Sequence, residues 1–202
     1  ISKIKAAKPD MIALTGDIVD EDHDSISSVE DLLKGIKDLA PIYFVTGNHE
    51  LTSLAATQYQ ELLALFQKYG VTDLDNDSVK LKKGGQSITL YGRQYFSQYL
   101  TDSLPIASDK DFDILLYHGS DNFKEIAPYH YDLILSGHAH GGIVRLPIWG
   151  GIFGNDGTFF PEYAGGEYTI GDATLISSRG LGDASIPRFN NPPELVVIKL
   201  NP

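Results

Sequence analysis

MIALTGDIVD, residues 11–20, is the stretch that decides the fold. Its first half, residues 11–15, is a short apolar run of the kind found in a strand buried on both faces of a sheet. Its second half turns at Gly16 and brings two carboxylates, Asp17 and Asp20, directly behind that strand. In parallel α/β sheets, ligands collect beyond the carboxyl ends of the strands, so this arrangement predicts a functional site at the sheet edge.

Three further polar motifs repeat this arrangement, because each comes directly after a predicted buried strand. The carboxyl ends of parallel strands lie at one edge of a sheet, so we expect all four motifs to meet in space although they are far apart in the sequence. The three motifs and the strands before them are GNHE at residues 47–50 after residues 42–45, YHG at residues 117–119 after residues 113–117, and GHAHGG at residues 137–142 after residues 132–135.

The remaining patterns predict helices in the first half of the chain and hairpins in the second. Strands that alternate with helices and then give way to a β-rich half predict an α/β fold with mixed sheets, in a single domain over residues 1–202. Helices are predicted at residues 1–8, at the residues that follow a Ser27–Glu30 capping box, at residues 52–69 with Gly70 as C-terminal cap, and at residues 122–126. Hairpins are predicted at residues 79–91 and 168–177, and a closing strand at residues 195–200.

Composition limits the class of function. The chain has no cysteine, so a metal site must use His, Asp, Glu, Asn and water. The net charge is −11 and the 16 Lys and Arg form no cluster, which argues against stable nucleic-acid binding. No apolar run approaches the roughly 20 residues of a membrane span. The compartment, cytoplasm or cell envelope, stays open, and any targeting segment is expected upstream of Ile1.

The four motifs in this order resemble those of the calcineurin-like metallophosphoesterases. The resemblance covers essentially the whole chain. It implies a four-layer α/β/β/α sandwich with two mixed β-sheets. It also implies hydrolysis of phosphate mono-, di- or pyrophosphate esters by a metal-bound hydroxide at a dinuclear centre, whose two divalent ions are Mn, Fe, Zn or Ni. The segments at 145–147 (RLP), 178–182 (SRGLG) and 193–195 (PEL) resemble a branch with bacterial phosphoesterases of the cell wall or membrane.

The resemblance also assigns roles to residues of this sequence. It implies that Asp17 bridges the two ions, that Asn48, His118 and His138 complete the ligands of the second ion, and that His140 binds the first ion. His49 is implied to stand near the leaving-group oxygen as a general acid or transition-state stabiliser, and Asp20 to orient His49.

One motif of the resemblance has no counterpart, because no Asp-x-His precedes Asp17 in this sequence. We therefore expect the first strand of the fold and two ligands of the first ion to be absent from this chain. The second site should then be more complete than the first, and this chain should be weakly active or inactive.

Several alternatives stay open. Arg145 and Arg179 could clamp a substrate phosphate or form loop salt bridges. The apolar segment at residues 143–163 could touch a lipid-linked substrate or a membrane surface, or pack back on the sheet, which we favour. The expected partner is a small phosphorylated substrate, nucleotide- or lipid-linked. The rival to an enzyme is a non-catalytic binding domain stabilised by metal.

Overall fold

A computed structural model describes residues 1–19, 25–95, 100, 104–108, 111–154, 157–182 and 187–201. No helix among these residues is long and apolar enough to cross a membrane. The helices are α1 (Ser2–Ala7), α2 (Ser25–Ile36), α3 (Asn48–Thr52), α4 (Ala56–Tyr69) and α5 (Phe123–Ile126). The strands are β1 (Ile12–Leu14), β2 (Ile42–Phe44), β3 (Val71–Asp73), β4 (Ser78–Lys83), β5 (Gln86–Arg93), β6 (Phe112–Gly119), β7 (Leu133–Gly137), β8 (Val144–Leu146), β9 (Gly150–Phe153), β10 (Gly166–Ile170) and β11 (Ala173–Ser177).

Most strands belong to two sheets. The first sheet has the order β1-β2-β3 and is parallel throughout. The second has six strands in the order β10-β11-β7-β6-β5-β4, with a parallel centre and an antiparallel hairpin at each edge. Because β1, β2, β6 and β7 all carry one of the polar motifs at their carboxyl ends, the pairing within each sheet brings those motifs side by side.

Side-chain alternation along the strands produces the layers. In β2, Ile42 and Phe44 pack with the helices α1, α2 and α4, while Tyr43 packs between the two sheets. In β6, Ile114 faces that same space between the sheets, and Leu115 faces the opposite side with α5. Helices therefore cover the outer face of each sheet. The fold is the predicted α/β sandwich, in the layer order helix, sheet, sheet, helix.

Two of the predicted helices have different bounds in the structure. Helix α2 begins at Ser25, so Ser27 lies inside it and the predicted capping box is wrong. The predicted helix at residues 52–69 begins later in the structure, at Ala56, because the backbone of Ala55 is extended; Thr52 ends the separate short helix α3. The amide N–H of Ala55 donates to Gln58 Oε1 at 3.0 Å, which caps the start of α4. Gly70 ends α4 in a left-handed conformation, as predicted.

The end of the chain differs most from the prediction. Residues 195–200 have no regular secondary structure, so the predicted closing strand is wrong. No strand in the described part of the chain pairs with this segment. Leu195 packs against the helix-side core, while Val197 and Leu200 are exposed.

The apolar segment at residues 143–163 contains a hairpin, β8–β9, that the sequence did not predict. Its ends pack inward, because Ile143 and Tyr163 are buried. The tip is exposed: Ile148 is 102% exposed and Trp149 is 68% exposed, and the Trp149 ring lies 6.3 Å from that of Phe160. The ends of the segment therefore pack back on the fold, as we favoured, and its tip does not. Contact with a lipid or membrane stays a prediction.

Candidate metal centre

Three predicted ligands converge at the carboxyl ends of the strands. Asp17 follows β1, His118 lies near the end of β6, and His138 follows β7. His118 Nε2 lies 3.0 Å from Asp17 Oδ2 and 3.2 Å from His138 Nδ1. One ligand atom from each of these residues lies within 4.8 Å of the others, which is the spacing of a group that could hold a metal ion. The convergence joins the two sheets, since Asp17 comes from one and the histidines from the other.

The surroundings of His118 prepare it to bind a metal through Nε2. This ring is 1% exposed, and Nδ1–H donates to the carbonyl oxygen of Thr15 at 2.7 Å, which leaves Nε2 facing Asp17. A histidine whose second nitrogen is held by a backbone carbonyl is the usual arrangement of a metal ligand. Burial lowers the pKa of His118, but the hydrogen bond and charge of Asp17 outweigh burial and raise it. The 3.0 Å contact between His118 Nε2 and Asp17 Oδ2 thus favours the protonated imidazole beside the carboxylate.

The turn at Gly16 is required for this approach of the two sheets. Its φ is +84°, and a Cβ placed on it would lie 2.6 Å from the amide nitrogen of Gly47 and 2.7 Å from His118 Nδ1. A side chain at this position would thus push apart the motif after β2 and the motif after β6. Asp17 itself adopts a positive φ of 51°, which is uncommon for a residue with a side chain.

Glu50 is the main residue that the sequence analysis missed. It is 2% exposed, and its carboxylate accepts hydrogen bonds from the amide N–H groups of Asp17 and Ile18 at 2.8 Å, Val19 at 3.3 Å and Gly47 at 2.7 Å. Burial and the charge of Asp17 raise the pKa of Glu50 despite these donors. Glu50 therefore holds the loop of Asp17 against the loop of Asn48. The only signal in the sequence was its place in the GNHE motif.

Asn48 has the environment of a ligand that lacks its ion. Its Oδ1 atom is buried and accepts no hydrogen bond from the part of the chain that the structure describes. An unpaired buried acceptor is costly, at about 1–3 kcal/mol. Together with one carboxylate and two imidazoles, an amide oxygen completes a donor set that suits a borderline divalent cation. The residues present therefore fit a metal ion.

His49 lies at the rim of this cluster. Its Nε2 atom is 3.9 Å from Asp17 Oδ2, and its side chain is 25% exposed. Its amide N–H donates to Asp17 Oδ1 at 2.9 Å, and its Nδ1 atom lies 3.4 Å from Ser53 Oγ. This position lets the imidazole face both the carboxylate and solvent. Asp20, predicted to orient His49, lies outside the described residues.

His140 is near the converged atoms but does not belong to the group of Asp17, His118 and His138. Burial and then the charge of Arg188 lower the pKa of His140 to about 4. Its Nδ1 atom is buried without a hydrogen-bond partner in the described part of the chain. His140 is therefore a neutral imidazole at pH 7, which is the protonation state that binds metals.

The two predicted substrate arginines have different partners. Arg145 donates through Nη1 to the carbonyl oxygen of Gly141. Arg179 forms an ion pair with Glu194, at 2.8 Å between Nη2 and Oε1. Both lie beside the loop that carries His140. The structure thus places them near the site, and their contact with a substrate stays a prediction.

Tyr95 forms one wall of the site and was also missed. Its ring centroid is 5.3 Å from those of both His118 and His138, and 5.8 Å from that of Tyr117. Burial, with the charges of Asp121 and Asp17, raises the pKa of Tyr95 to about 12. The ring packs against both imidazoles and restricts their rotation. No motif surrounds Tyr95 in the sequence, so only the structure reveals it.

The site and fold together define a metal-binding α/β sandwich of the phosphoesterase type. Residues 1–142 match the family described as calcineurin-like phosphoesterase. The chain is 30% identical over 208 residues to the uncharacterized metallophosphoesterase YkuE of Bacillus subtilis, covering 99% of this chain and 71% of that protein. It is 27% identical over 195 residues to the phosphodiesterase YaeI of Escherichia coli, covering 96% and 71%.

A solved structure supports the fold. The sulfate thiohydrolase SoxB of Thermus thermophilus aligns with a TM-score of 0.52 at 16% identity, covering 87% of this chain and 35% of that chain. The chain therefore belongs to the calcineurin-like phosphoesterase family. Metal-dependent hydrolysis of phosphoester bonds is the activity that this membership indicates.

Proposed function

We propose that this protein hydrolyses a small phosphorylated substrate, a phosphate mono-, di- or pyrophosphate ester, at a dinuclear metal centre. The observation that carries the proposal is the convergence of Asp17, His118 and His138 around a common point. Asn48, which follows β2 and whose Oδ1 is buried and unpaired among the described residues, is a further donor from the same region of the chain. A partly buried carboxylate and two imidazoles at the carboxyl ends of three strands are typical of a metal site.

The predicted ligands would hold two metal ions. Asp17, Asn48, His118 and His138 would hold one divalent ion, and Asp17 and His140 would contribute to a second. Such ions supply an activated water and stabilise negative charge on the phosphoryl oxygens. Mn, Fe, Zn and Ni all suit these ligands.

His49, at the rim, would donate a proton to the leaving-group oxygen. The His49 side chain is 25% exposed, so a bound ester could approach it from the solvent side. General acid catalysis of this kind typically contributes about 10²–10⁴-fold. Arg145 and Arg179, beside His140, would bind non-reacting phosphate oxygens, because a guanidinium matches phosphate geometry.

Hydrolysis of p-nitrophenyl phosphate and bis-p-nitrophenyl phosphate with added Mn²⁺ tests the proposal. We expect metal-dependent release of p-nitrophenol that is weak in this chain, since no Asp-x-His precedes Asp17, and its loss in Asp17→Asn because a ligand shared by the cluster is gone. The matched control is Asp172→Asn in the exposed turn between β10 and β11, which should keep full activity.

The same assay separates the enzyme from its rival, a non-catalytic binding domain stabilised by metal. Calorimetry would show whether Mn²⁺ binds and whether Asp17→Asn abolishes that binding. Binding that depends on Asp17, with hydrolysis of neither ester nor of a pyrophosphate substrate even when an Asp-x-His segment is supplied ahead of Asp17, would refute the enzyme and favour the binding domain. A relative named phosphodiesterase favours diesters as the first substrates to try.

A further inference from the structure

The loop at residues 138–142, here called the histidine loop, has a backbone that L-residues rarely adopt. His138 and His140 have φ angles of 68° and 50°, and Gly141 and Gly142 have φ angles of 76° and 63°. Each non-glycine residue in this left-handed region costs about 1–2 kcal/mol. Such strain persists only where surrounding contacts determine the conformation.

Two side chains from outside the loop hold its outward carbonyl groups. Asn191 Nδ2–H donates to the carbonyl oxygen of His140 at 2.6 Å. Arg145 Nη1–H donates to the carbonyl oxygen of Gly141. The two carbonyls belong to consecutive peptide groups, so together these hydrogen bonds fix the orientation of the peptide planes on either side of the Gly141 Cα.

The segment that carries Asn191 is itself fixed against the strand that follows the loop. Phe189 and Val144 form a β-bridge, in which Phe189 N–H donates to Ile143 and Arg145 N–H donates to Phe189, each at 3.0 Å. Asn191 lies two residues beyond this bridge, so its amide reaches back to the loop from a rigid base.

Asn191 also fits the loop too closely to be a surface residue that happens to contact it. It is 3% exposed, and a Cβ at Gly141 would lie 2.6 Å from Asn191 Oδ1 and 2.7 Å from Arg179 Cγ. Asn191 Oδ1 accepts no hydrogen bond within the described residues. An unpaired buried acceptor costs stability, so the polar contact that favours an asparagine at this position is the hydrogen bond that its Nδ2–H donates to the carbonyl oxygen of His140.

We propose that Asn191 and Arg145 are positioning residues for His140: they hold the histidine loop in its strained conformation and thereby aim the His140 imidazole toward the metal centre. This inference rests on the proposed role of His140 as a metal ligand. It assigns a role to two segments outside the main sheets, because β8 carries Arg145 and the segment after Phe189 carries Asn191.

Metal binding, not hydrolysis, is the readout that tests the proposal. The metal-free protein is titrated with Co²⁺ by calorimetry and by visible absorption, and the binding event that depends on His140 is identified with His140→Ala. We expect Asn191→Ala to weaken that event by about 10–100-fold and to change the Co²⁺ absorption spectrum, as loss of an orienting partner does. The control, Asn190→Gly, removes the adjacent side-chain amide, which donates to the backbone carbonyl oxygen of Arg145 at 3.3 Å. It should change neither the metal affinity nor the absorption spectrum.

Arg145→Met makes the test independent of whether Asn191→Ala folds. Removing a cation near a metal site should tighten metal binding by Coulomb's law. A positioning role predicts the opposite, a loss of about tenfold or more. The melting temperature of each metal-free variant is recorded, since a merely structural role would lower it and leave the metal affinity at 25 °C unchanged.

Unchanged affinity and spectrum in either folded variant, or no binding event that depends on His140, would overturn the proposal. The proposed function fails separately, when a protein that binds metal as described hydrolyses no phosphate ester. The two failures are therefore distinguishable in one set of samples.

Discussion

Adjacent residues of one motif can have opposite tasks, and His49 and Glu50 show this. Both are polar and both follow Asn48, yet His49 is partly exposed and faces the rim, while Glu50 is 2% exposed and accepts four backbone N–H groups. The short helix α3 turns one side chain outward and the next inward. Chemistry and loop assembly are thus assigned to neighbouring positions.

Replacement of Glu50 tests its role in assembly. Glu50→Gln keeps the shape but turns an amide N–H₂ toward backbone donors, so buried N–H groups lose their acceptor. We expect the free energy of unfolding to fall by about 2–4 kcal/mol in urea denaturation. Glu61→Gln, an exposed glutamate on α4, is the matched control and should change stability by less than about 0.5 kcal/mol. Equal effects of both substitutions would show that Glu50 does not hold the loop of Asp17 against the loop of Asn48.

Replacement of His49 tests its role in proton donation. The side chain does not belong to the group of three converging ligands, so His49→Ala should keep the metal content. Turnover of the ester should fall by about 10²–10⁴-fold because the proton donor is lost. Metal content is measured by elemental analysis beside the rate. Loss of metal in this variant would make His49 a ligand instead.

The pKa of His140 predicts how stability depends on pH. Burial and Arg188 lower it to about 4 from 6.5, so between these values the unfolded chain binds a proton that the folded metal-free chain does not. His140 does not lower the free energy of unfolding above pH 6.5. As pH falls from 6.5 toward 4, that free energy decreases, because the unfolded chain gains a proton at this residue. In His140→Gln that loss is absent, so from pH 7 to 5 the variant should gain up to about 2 kcal/mol relative to the native chain. The gain is measured by urea unfolding in EDTA, with His130→Gln as a control. A difference in unfolding free energy between His140→Gln and the native chain that does not change with pH would contradict the lowered pKa of His140.

At the scale of elements, the sequence predicted the strands best and the chain end worst. Runs such as residues 113–117 are apolar on both faces, and this pattern belongs to a buried strand wherever it occurs. The run at residues 195–200 has the same composition, but a strand also needs a partner, which composition does not encode. Helix α3 ends at Thr52 and α4 begins at Ala56, with Ala55 extended, and such a short break leaves no periodic signal.

Helix α4 offers a test of which face packs. Leu62 is 0% exposed and packs in the core between the helices and the first sheet. The adjacent Leu63 is only partly buried. Leu62→Ala should lower the free energy of unfolding by about 2–4 kcal/mol, because it removes packed methyl groups and leaves a cavity. Leu63→Ala makes the same chemical change one residue later and should cost clearly less. Thermal denaturation of both variants checks the order, and a reversed order would mean that the helix is rotated about its axis.

At the scale of the whole molecule, the site followed from a rule of topology. Each motif was predicted to meet the others because strand ends share an edge, and Asp17, His118 and His138 do converge. Glu50, Tyr95 and Asn191 could not be predicted, since their tasks depend on contacts between distant segments. Their residue types are compatible with many surface positions. Sequence patterns therefore predict which residues converge, and the structure shows which residues contact them.

Metal binding should stabilise the molecule as a whole, because the site joins both sheets. A ligand at 100 times its Kd adds about 2.7 kcal/mol to the free energy of unfolding. For a domain of this size, that raises Tm by roughly 5–10 °C. Mn²⁺ should produce this shift in the native chain and none in Asp17→Asn, with Asp172→Asn as the control that keeps it.

The same sample, titrated by calorimetry, decides how the ions are held. The cluster of Asp17, His118 and His138 with Asn48 should bind one ion tightly, whereas His140 stands apart and should support a second ion more weakly. His140→Ala should remove only the weaker event, and His118→Ala should remove the tighter one. Two equally tight events would contradict this order. A rise in Tm that survives Asp17→Asn would place the ion elsewhere, because no other residue of the cluster offers a carboxylate.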